Sequence, residues 1–577
     1  MKMTNEFHFS PRPNRASEIA WMPWGEAAFE RAAREDKPLL LGISAVWCHW
    51  CHVMDETTYS DETVIEKINA AYVPVRVDND ERPDVNARYN MGGWPTTAFL
   101  SPDGTTLTGA TYLAPAQMRQ ALDDIARFYH ERKDEIRERS EELKAQRIAP
   151  QSAAPDALSP AMIEQVSGVI ADSYDPEFGG FGDAPKFPQP ELLDFLLSEW
   201  RVRGEHALYD MVARTMLEMS RGGMYDHVEG GFFRYSTTRD WSIPHFEKMT
   251  EDHAGLLRVL ATLQLAAPTD ASRETLRSAL AYVRTVLRDP ATGLFRGSQD
   301  ADESYFELPL DQRRAREAPF VDPRSYTNWS ASMAGAFAWA AIATDDDGLA
   351  RESLITLDYL HERMRDRDGL LYHVLAPGEP PRVRGLLTDQ SAYLRALLDA
   401  HEATGELRLL ERARDHVDRV IEAFEAEDGG FYDRTQTEAT IGRLELRDRP
   451  IIDNGIMAEN LLRLEVMTGD ARYRERAERI FVLYANSFQR AGSFAATYAR
   501  ALRRYFTAPV SVRITGGRDA TSDMREAARR LPAPFVTVYA EAGDGSPLAY
   551  VCAGTACAAP VGSAADLRAA YESVASP

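Results

Sequence analysis

"AVWCHWCHVM", residues 45–54, holds two cysteines, two histidines and two tryptophans in ten positions, a mixture that ordinary apolar core does not explain. Three chemistries use such a run. Cys48-His49-Trp50-Cys51-His52 fits the haem attachment pattern C-x-x-C-H, a zinc site uses Cys and His, and C-x-x-C is a redox dithiol. Zinc needs three or four ligands around one ion, and four neighbours on one helix point in different directions. Haem attachment is expected in exported proteins, whereas the opening "MKMTNEFHFSPRPNRASEIAW" has no apolar signal stretch, so a cytoplasmic location is expected. The dithiol fits its surroundings best. "KPLLLGIS" (37–44) reads as a short buried strand, and a helical pattern runs on from Cys51. A strand would thus deliver Cys48 to a helix N-terminus, where unpaired N–H groups and the helix dipole stabilise a thiolate. Cys48 is expected to attack and Cys51, one turn later, to resolve the mixed disulfide. Trp94-Pro95 in "GGWPTTAFL" stands just before another strand, where a cis proline would flank the pair. Trp47 and His49 border the pair as candidate contacts for a substrate.

The whole chain sets bounds on function. Its 577 residues exceed one ordinary core, so two or three domains are expected. No run of about 18 apolar residues is present to cross a bilayer. A net charge of −23 repels phosphate backbones and anionic lipid, so neither nucleic acid nor membrane is an expected partner. Four cysteines are too few for a disulfide framework; the distant pair Cys552/Cys557 has neither dithiol nor zinc spacing and reads as inert or incidental. No metal and no cofactor is called for.

The expected fold class is multidomain. Residues 15–145 form an α/β thioredoxin-like domain, with "VPVRVD" (73–78) as a second strand and a long polar-faced helix closing it. Residues 146–158 are a Pro-, Ala- and Ser-rich linker. From 159 to 506 the chain is mainly helical and carries a recurring pattern. "DPEFGGFG" at 175, "DHVEGGFFRY" at 226, "DPATGLFRG" at 289, "DRDGLLYH" at 366 and "EDGGFYDR" at 427 each join an acidic residue, glycine and an apolar or aromatic pair. Each reads as a tiny hairpin between two helices, and five copies plus one unseen make six helical hairpins closed into an (α/α)6 toroid. Residues 507–577 alternate strand and helix signals as a small α/β appendage.

A second candidate site falls in "GGMYDHVEGGFFRYSTTRDWSIPHFEKMTEDH" (222–253). Pro244 suits the first position of a helix, which would set His245 and Glu247 in its first turn at the mouth of a ring cavity. With Asp226 and His227 from the preceding turn, two histidines could exchange a proton at a sugar carbon, or two carboxylates could hydrolyse a glycosidic bond. Asp252, Asp300, Asp302, Trp329, Asp389 and Asn454 are expected to line the same cavity. The other reading is that these are turn residues holding loops by hydrogen bonds.

Taken together, "WPWGEAAFERAAREDKPLLL", "CHWCHVM", "VDNDERPD", "GGWPTTAFLSPDG", "GGFGDAPKFPQP", "GGMYDHVEGGFFRYS" and "PHFEKM" resemble the spermatogenesis-associated thioredoxin-like proteins and their bacterial and archaeal relatives. The resemblance runs from about residue 20 to "AYVCAGTAC". It implies a thioredoxin-like domain followed by a six-hairpin barrel similar to those of N-acylglucosamine and cellobiose epimerases and of glycoside hydrolases. The chain departs from that pattern at Phe233, at Asn328 and Ser330, which replace a carboxylate and an amide, and in a shortened segment after "QDADES", whereas its Cys motif is complete. The expected function, read from the strand, C-x-x-C, helix and Trp-Pro order, is a thiol–disulfide oxidoreductase module with a protein or small-thiol partner, fused to a carbohydrate-active-type barrel; the alternatives are a sugar epimerase or isomerase, or a non-catalytic redox-sensing module that binds a carbohydrate-like ligand or a partner.

Overall fold

A computed structural model describes residues 7–148, 157–436, 440–517, 519–541 and 545–575. Most of the sequence-predicted linker therefore lies outside the described residues. The chain divides into two compact units, 1–154 with 436–448, and 155–435 with 449–577.

The first unit is built on a four-stranded sheet. Strand β1 (Leu39–Ser44) pairs parallel with β2 (Val73–Asp78) and antiparallel with β3 (Thr96–Leu100), which pairs antiparallel with β4 (Thr106–Ala110). The order is β2-β1-β3-β4. Leu39, Leu41 and Ile43 face one core with Trp24, Phe29, Val85 and Tyr89, from α1 (Glu26–Glu35), α4 (Pro83–Tyr89) and the segment before α1. Leu40 and Phe99 face another with Val64, Ile68, Met118 and Leu122 from α3 (Glu62–Ala71) and α5 (Pro115–Glu131). Burial on both faces is why β1 reads as an unbroken apolar run rather than as an alternation. Helix α2 (His49–Glu56) begins directly after β1, and α6 (Lys133–Ile148) follows α5.

Residues 436–448 correct the sequence-drawn boundary. They lie between two toroid helices in the chain, yet Leu444 is fully buried in the first unit's core. Tyr89 explains the attachment, since its hydroxyl donates to the Gly104 carbonyl at 2.9 Å and accepts the Arg443 amide at 2.7 Å. Gly104 has a φ of +83°, and a Cβ there would come within 2.3 Å of Gly442 Cα. A long-range return of this kind leaves no periodic signal in its own short sequence.

In the second unit, α7 (Ala161–Ser173), α8 (Pro190–Arg203), α9 (His206–Arg221), α10 (Thr250–Ala266) and α11 (Asp270–Tyr282) are followed by two single-turn helices, α12 (Glu303–Phe306) and α13 (Leu310–Arg313). Then come α14 (Thr327–Thr344), α15 (Asp347–Arg363), α16 (Leu387–Thr404), α17 (Leu407–Phe424), α18 (Ile451–Thr468), α19 (Arg472–Tyr484) and α20 (Ala496–Phe506). Helices α8, α10, α14, α16, α18 and α20 touch in that order, and α20 touches α8, which closes the ring. The outer helices α9, α11, α15, α17, α19 and α7 pack one on each. The outer α17 buries Leu409, Ala413, Val417, Val420 and Phe424, a single stripe, whereas α16 is buried almost all round, as inner and outer positions require. The second unit is an (α/α)6 toroid.

The recurring motif makes the tight turns foreseen. Isolated bridges Tyr174 with Phe181, Tyr225 with Phe232, Arg288 with Phe295, Arg365 with Leu371 and Glu425 with Phe431 close them. The sixth junction, before α20, is a 3-10 segment at Phe488–Ala495 without the motif.

The C-terminal region is α/β and groups with the toroid. Its strands run in the order Val536–Glu541, Val510–Thr515, Leu548–Ala553, Ala556–Cys557, with α21 (Ser522–Arg529) and α22 (Leu567–Val574) packed on one face. Cys552 and Cys557 form a disulfide here, contrary to their reading as incidental. They stand directly opposite each other across a hairpin with two loop residues, their Cα atoms 4.1 Å apart, the close spacing of a non-hydrogen-bonded antiparallel pair.

Candidate functional site

Cys48 and Cys51 are joined in a disulfide. Cys48 is the N-cap of α2 in extended conformation, and its Sγ accepts the Cys51 amide at 3.2 Å. That amide, in the first turn of the helix, is shared with the Cys48 carbonyl at 3.0 Å, and the sulfur sits at the helix start where the sequence places it. Cys48 is 4% exposed and Cys51 2% exposed. The rim beside them is open, with His49 and Gly92 exposed and Trp50 51% exposed. Trp47 is buried, donates to Asp80 Oδ2 at 2.7 Å and meets the Trp94 ring edge-on at 5.6 Å. The Trp94-Pro95 peptide is cis. The Trp50 ring lies 5.5 Å from that of Tyr112.

Beneath the motif α2 is anchored by charge. Asp55, 1% exposed, takes two 2.9 Å bonds from Arg76 of β2 and the Ser10 amide at 3.1 Å. Arg76 also lies over the Phe9 ring at 4.6 Å. Burial, reinforced by His8, pulls the His52 pKa down to about 4, so this imidazole is neutral at pH 7.

The toroid residues separate into two groups. Asp226 is buried and accepts from Lys248 Nζ and Arg313 Nη1, both at 2.7 Å. Burial raises its pKa, but these two cations outweigh that and hold it below the usual carboxylate value. His227 is exposed, with Nε2 3.1 Å from the Gly222 carbonyl. His245 and Glu247 are 2.6 Å apart and do not open a helix; Pro244–His245 pairs with Tyr235–Ser236 as a two-residue strand, and α10 starts only at Thr250. Proline fits there because the short bridge tolerates its missing donor. Asp300 accepts the Ala301 amide, and Asp302 caps α12. None of these six lines the central cavity. Asp226 and Asp302 hold turns, the alternative weighed for them.

The central cavity, of about 360 Å3, opens at the first turns of the inner helices and is lined by Glu251, Asp252, Asn328, Trp329, Thr388 and Asp453, among others. These fall at repeated positions. The third residues of α10, α14, α16 and α18 are Asp252, Trp329, Asp389 and Asp453. The fourth residues, His253, Ser330, Gln390 and Asn454, accept the amides of Phe232, Phe295, Leu371 and Phe431 at 2.7 to 3.2 Å, fastening each turn to its helix. Asn454 is thus a turn anchor, and its neighbour Asp453, missed in the sequence, is the lining residue. Aligning "TEDH", "TNWS", "LTDQ" and "IIDN" would have found it. Asp389 lies just behind the wall, fully buried and bonded to His373 Nδ1 at 2.8 Å and the Asn328 amide at 3.0 Å.

Burial, with Glu251 beside it, pushes Asp252 up to about 7. Burial, with Asp389 and Asp433 nearby, pushes Asp453 up to about 7 as well. The cavity therefore holds two carboxyls poised between proton donor and acceptor at neutral pH. No group of three or more His, Cys, Asp or Glu among the described residues is arranged to hold a metal.

With this geometry in view, residues 12–147 match the domain model described as Thioredox_DsbH, protein of unknown function, DUF255. The first unit is a thioredoxin-like domain. The chain is 25% identical over 703 aligned positions to human spermatogenesis-associated protein 20, covering 95% of this chain and 89% of that one. The resemblance to that group thus holds over most of the chain. A 68-residue stretch is 36% identical to thiol:disulfide interchange protein DsbD of Campylobacter jejuni, 11% of this chain and 12% of that protein. Among solved structures, a sugar epimerase from a ruminal bacterium superposes with a TM-score of 0.49 at 12% identity, over 60% of this chain and 99% of that one. No described helix is long and apolar enough to cross a membrane.

Proposed function

We propose that the thioredoxin-like domain is a thiol–disulfide oxidoreductase in which Cys48 exchanges and Cys51 resolves. The observation that carries this reading is Cys48 as N-cap of α2, its Sγ accepting the Cys51 amide, because a sulfur so placed is the one whose anion the helix stabilises. In the reductive half, a thiolate of a dithiol partner attacks Cys48 Sγ, the Cys48–Cys51 bond breaks, and Cys51 leaves as a thiolate that takes up a proton. The partner's second thiolate then attacks its own mixed-disulfide sulfur and releases Cys48. Two electrons pass to the pair, the partner becomes a disulfide, and both cysteines finish as thiols. The partner sulfur enters past exposed His49 and Trp50, with Trp47, Trp94 and Pro95 behind. Cys51→Ser should therefore trap a mixed disulfide with glutathione on Cys48, and Cys48→Ser should trap none. Equal trapping by both variants would remove the basis for the assignment.

A second reading concerns the toroid and rests on Asp252 and Asp453 sharing one cavity at pKa values near 7. Acid–base work on a polyhydroxy ligand of the carbohydrate class fits these two carboxyls with Trp329 as a stacking face, in place of His227 and His245. Solvent deuterium entering a reducing sugar, and lost in Asp252→Asn, would support it. Binding without exchange would leave a carbohydrate-binding module.

A further inference from the structure

Deeper along the toroid axis, past the first turns of the inner helices, lies a second chamber of about 80 Å3 closed by Pro534, Phe535 and Val536 of the C-terminal region. Its charges do not balance. Arg201, Arg258, Arg463, Arg500, Arg504 and Arg529 line it against four carboxylates, Asp194, Asp399, Glu402 and Glu459. The pairings use up the carboxylates. Arg500 holds Asp194 and Glu459, Arg463 holds Asp399 and Glu402, Arg258 shares Asp399, and Arg529 shares Glu402. Arg258 and Arg504 also reach Asp194 and Glu459 through Nε at 3.6 and 3.5 Å, too long for hydrogen bonds. Among the described residues the half-buried Arg201 has no ion pair, and the buried Nε atoms of Arg258, Arg504 and Arg529 have no hydrogen-bond partner.

In a chain of net charge −23, two surplus cations in one chamber run against the general balance, and buried guanidinium N–H groups left without a partner are unfavourable. Helix C-termini offset only part of this. Arg201, Arg504 and Arg529 stand in the last turns of α8, α20 and α21, where the dipole favours a cation by about 0.3–1 kcal/mol, whereas Arg258, Arg463 and Arg500 lie five or more residues from the ends of α10, α18 and α20. Apolar packing does not either, although Trp339 carries Arg258 and Arg529 over its ring at 5.1 and 4.7 Å. The stacking presents those guanidinium edges with fixed orientation. Burial and the neighbouring arginines also pull Arg529 down to about 9 against the attraction of Asp399.

We propose that this chamber binds a small multivalent oxyanion of the phosphate class, whose charge neutralises the surplus and whose oxygens take up the unpartnered N–H groups. The volume admits about five water-sized atoms, the size of such an ion. Guanidinium is the side chain suited to it, with planar N–H pairs matching two oxygens. The site is independent of the thiol chemistry and adjoins the acidic cavity, with which it shares Arg258 and Asp399 as a common wall.

The test uses the full chain freed of phosphate and sulfate, titrated with inorganic phosphate by calorimetry and thermal unfolding, with sodium chloride at matched ionic strength as control. Saturable phosphate binding with a rise in Tm of about 2–4 °C is expected. Arg201→Gln should weaken phosphate about tenfold while leaving the phosphate-free Tm equal to or above that of the parent, because an unpaired charge is removed. Arg529→Lys, which keeps a cation for Glu402, should weaken it as well. A response equalled by chloride, unchanged binding in Arg201→Gln, or a lower phosphate-free Tm in that variant would each overturn the proposal.

Discussion

Replacing Asp55 by alanine strikes the support of α2 without touching either cysteine. Asp55 and Arg76 are 1% and 5% exposed and joined by two bonds of 2.9 Å, so the substitution strands a guanidinium in the interior. Removing one partner of such a pair costs about 3–5 kcal/mol, because the other charge loses its compensation. Losing the acceptor for the Ser10 amide adds to this. A domain stability of about 5–15 kcal/mol would lose a large fraction, and a domain of this size would melt about 10 °C lower. Urea unfolding of the full chain, followed by tryptophan fluorescence, measures it. The double variant Asp55→Leu with Arg76→Met should recover most of the loss, since apolar packing replaces the pair without an orphan. In Asp55→Ala the Cys48–Cys51 disulfide should also be reduced faster by dithiothreitol, through a loosened α2. A loss under about 1 kcal/mol, typical of an exposed pair, or a double variant no better than the single, would refute the reasoning.

Three further outcomes are expected. Asp252 has a folded pKa near 7 against an unfolded value of about 3.9, so its ionised form destabilises above pH 7 and the penalty disappears as pH falls through 7 towards 4. Asp252→Asn should be more stable than the parent by about 1–3 kcal/mol at pH 8, allowing for its partial contact with cavity water, and equal to it near pH 4; thermal unfolding across pH reads this, and a pH-independent difference contradicts it. Asn454→Ala loses both bonds to Phe431 and should cost about 1–3 kcal/mol, with faster amide hydrogen exchange at Phe431; unchanged exchange would contradict the anchoring role. Gly104→Ala drives a Cβ into Gly442 and should cost the thioredoxin-like unit about 2–4 kcal/mol, against about 1 kcal/mol for Gly92→Ala, which has a φ of +95° but open space.

How far the sequence could be read depended on the range of the interactions. The strand, the Cys48 N-cap and the Trp94-Pro95 turn are local, and each was legible from a few neighbouring residues. The toroid was legible because its turns repeat. The candidate site within it was blurred because neighbouring positions of an inner helix meet the turn and the cavity, so Asn454 and Asp453 differ in role although adjacent, and the sequence alone drew attention to the wrong one of the two. His227 and His245 drew attention by residue type alone, but the short strand at Pro244–His245 arises from pairing with Tyr235–Ser236, a contact that no helix-start signal reveals. Neither the return of residues 436–448 to the first unit nor the arginine-lined chamber had a local signature, since both assemble side chains hundreds of positions apart.

The most direct measurement is the redox equilibrium of the Cys48–Cys51 pair in the folded full chain, set by graded thiol–disulfide buffers and read by alkylation and mass spectrometry. A reversible two-electron transition, with Cys48 alkylated before Cys51 on the reduced side, is the result predicted. A bond that resists reduction until the domain unfolds, or a Cys51 that reacts first, would contradict the account.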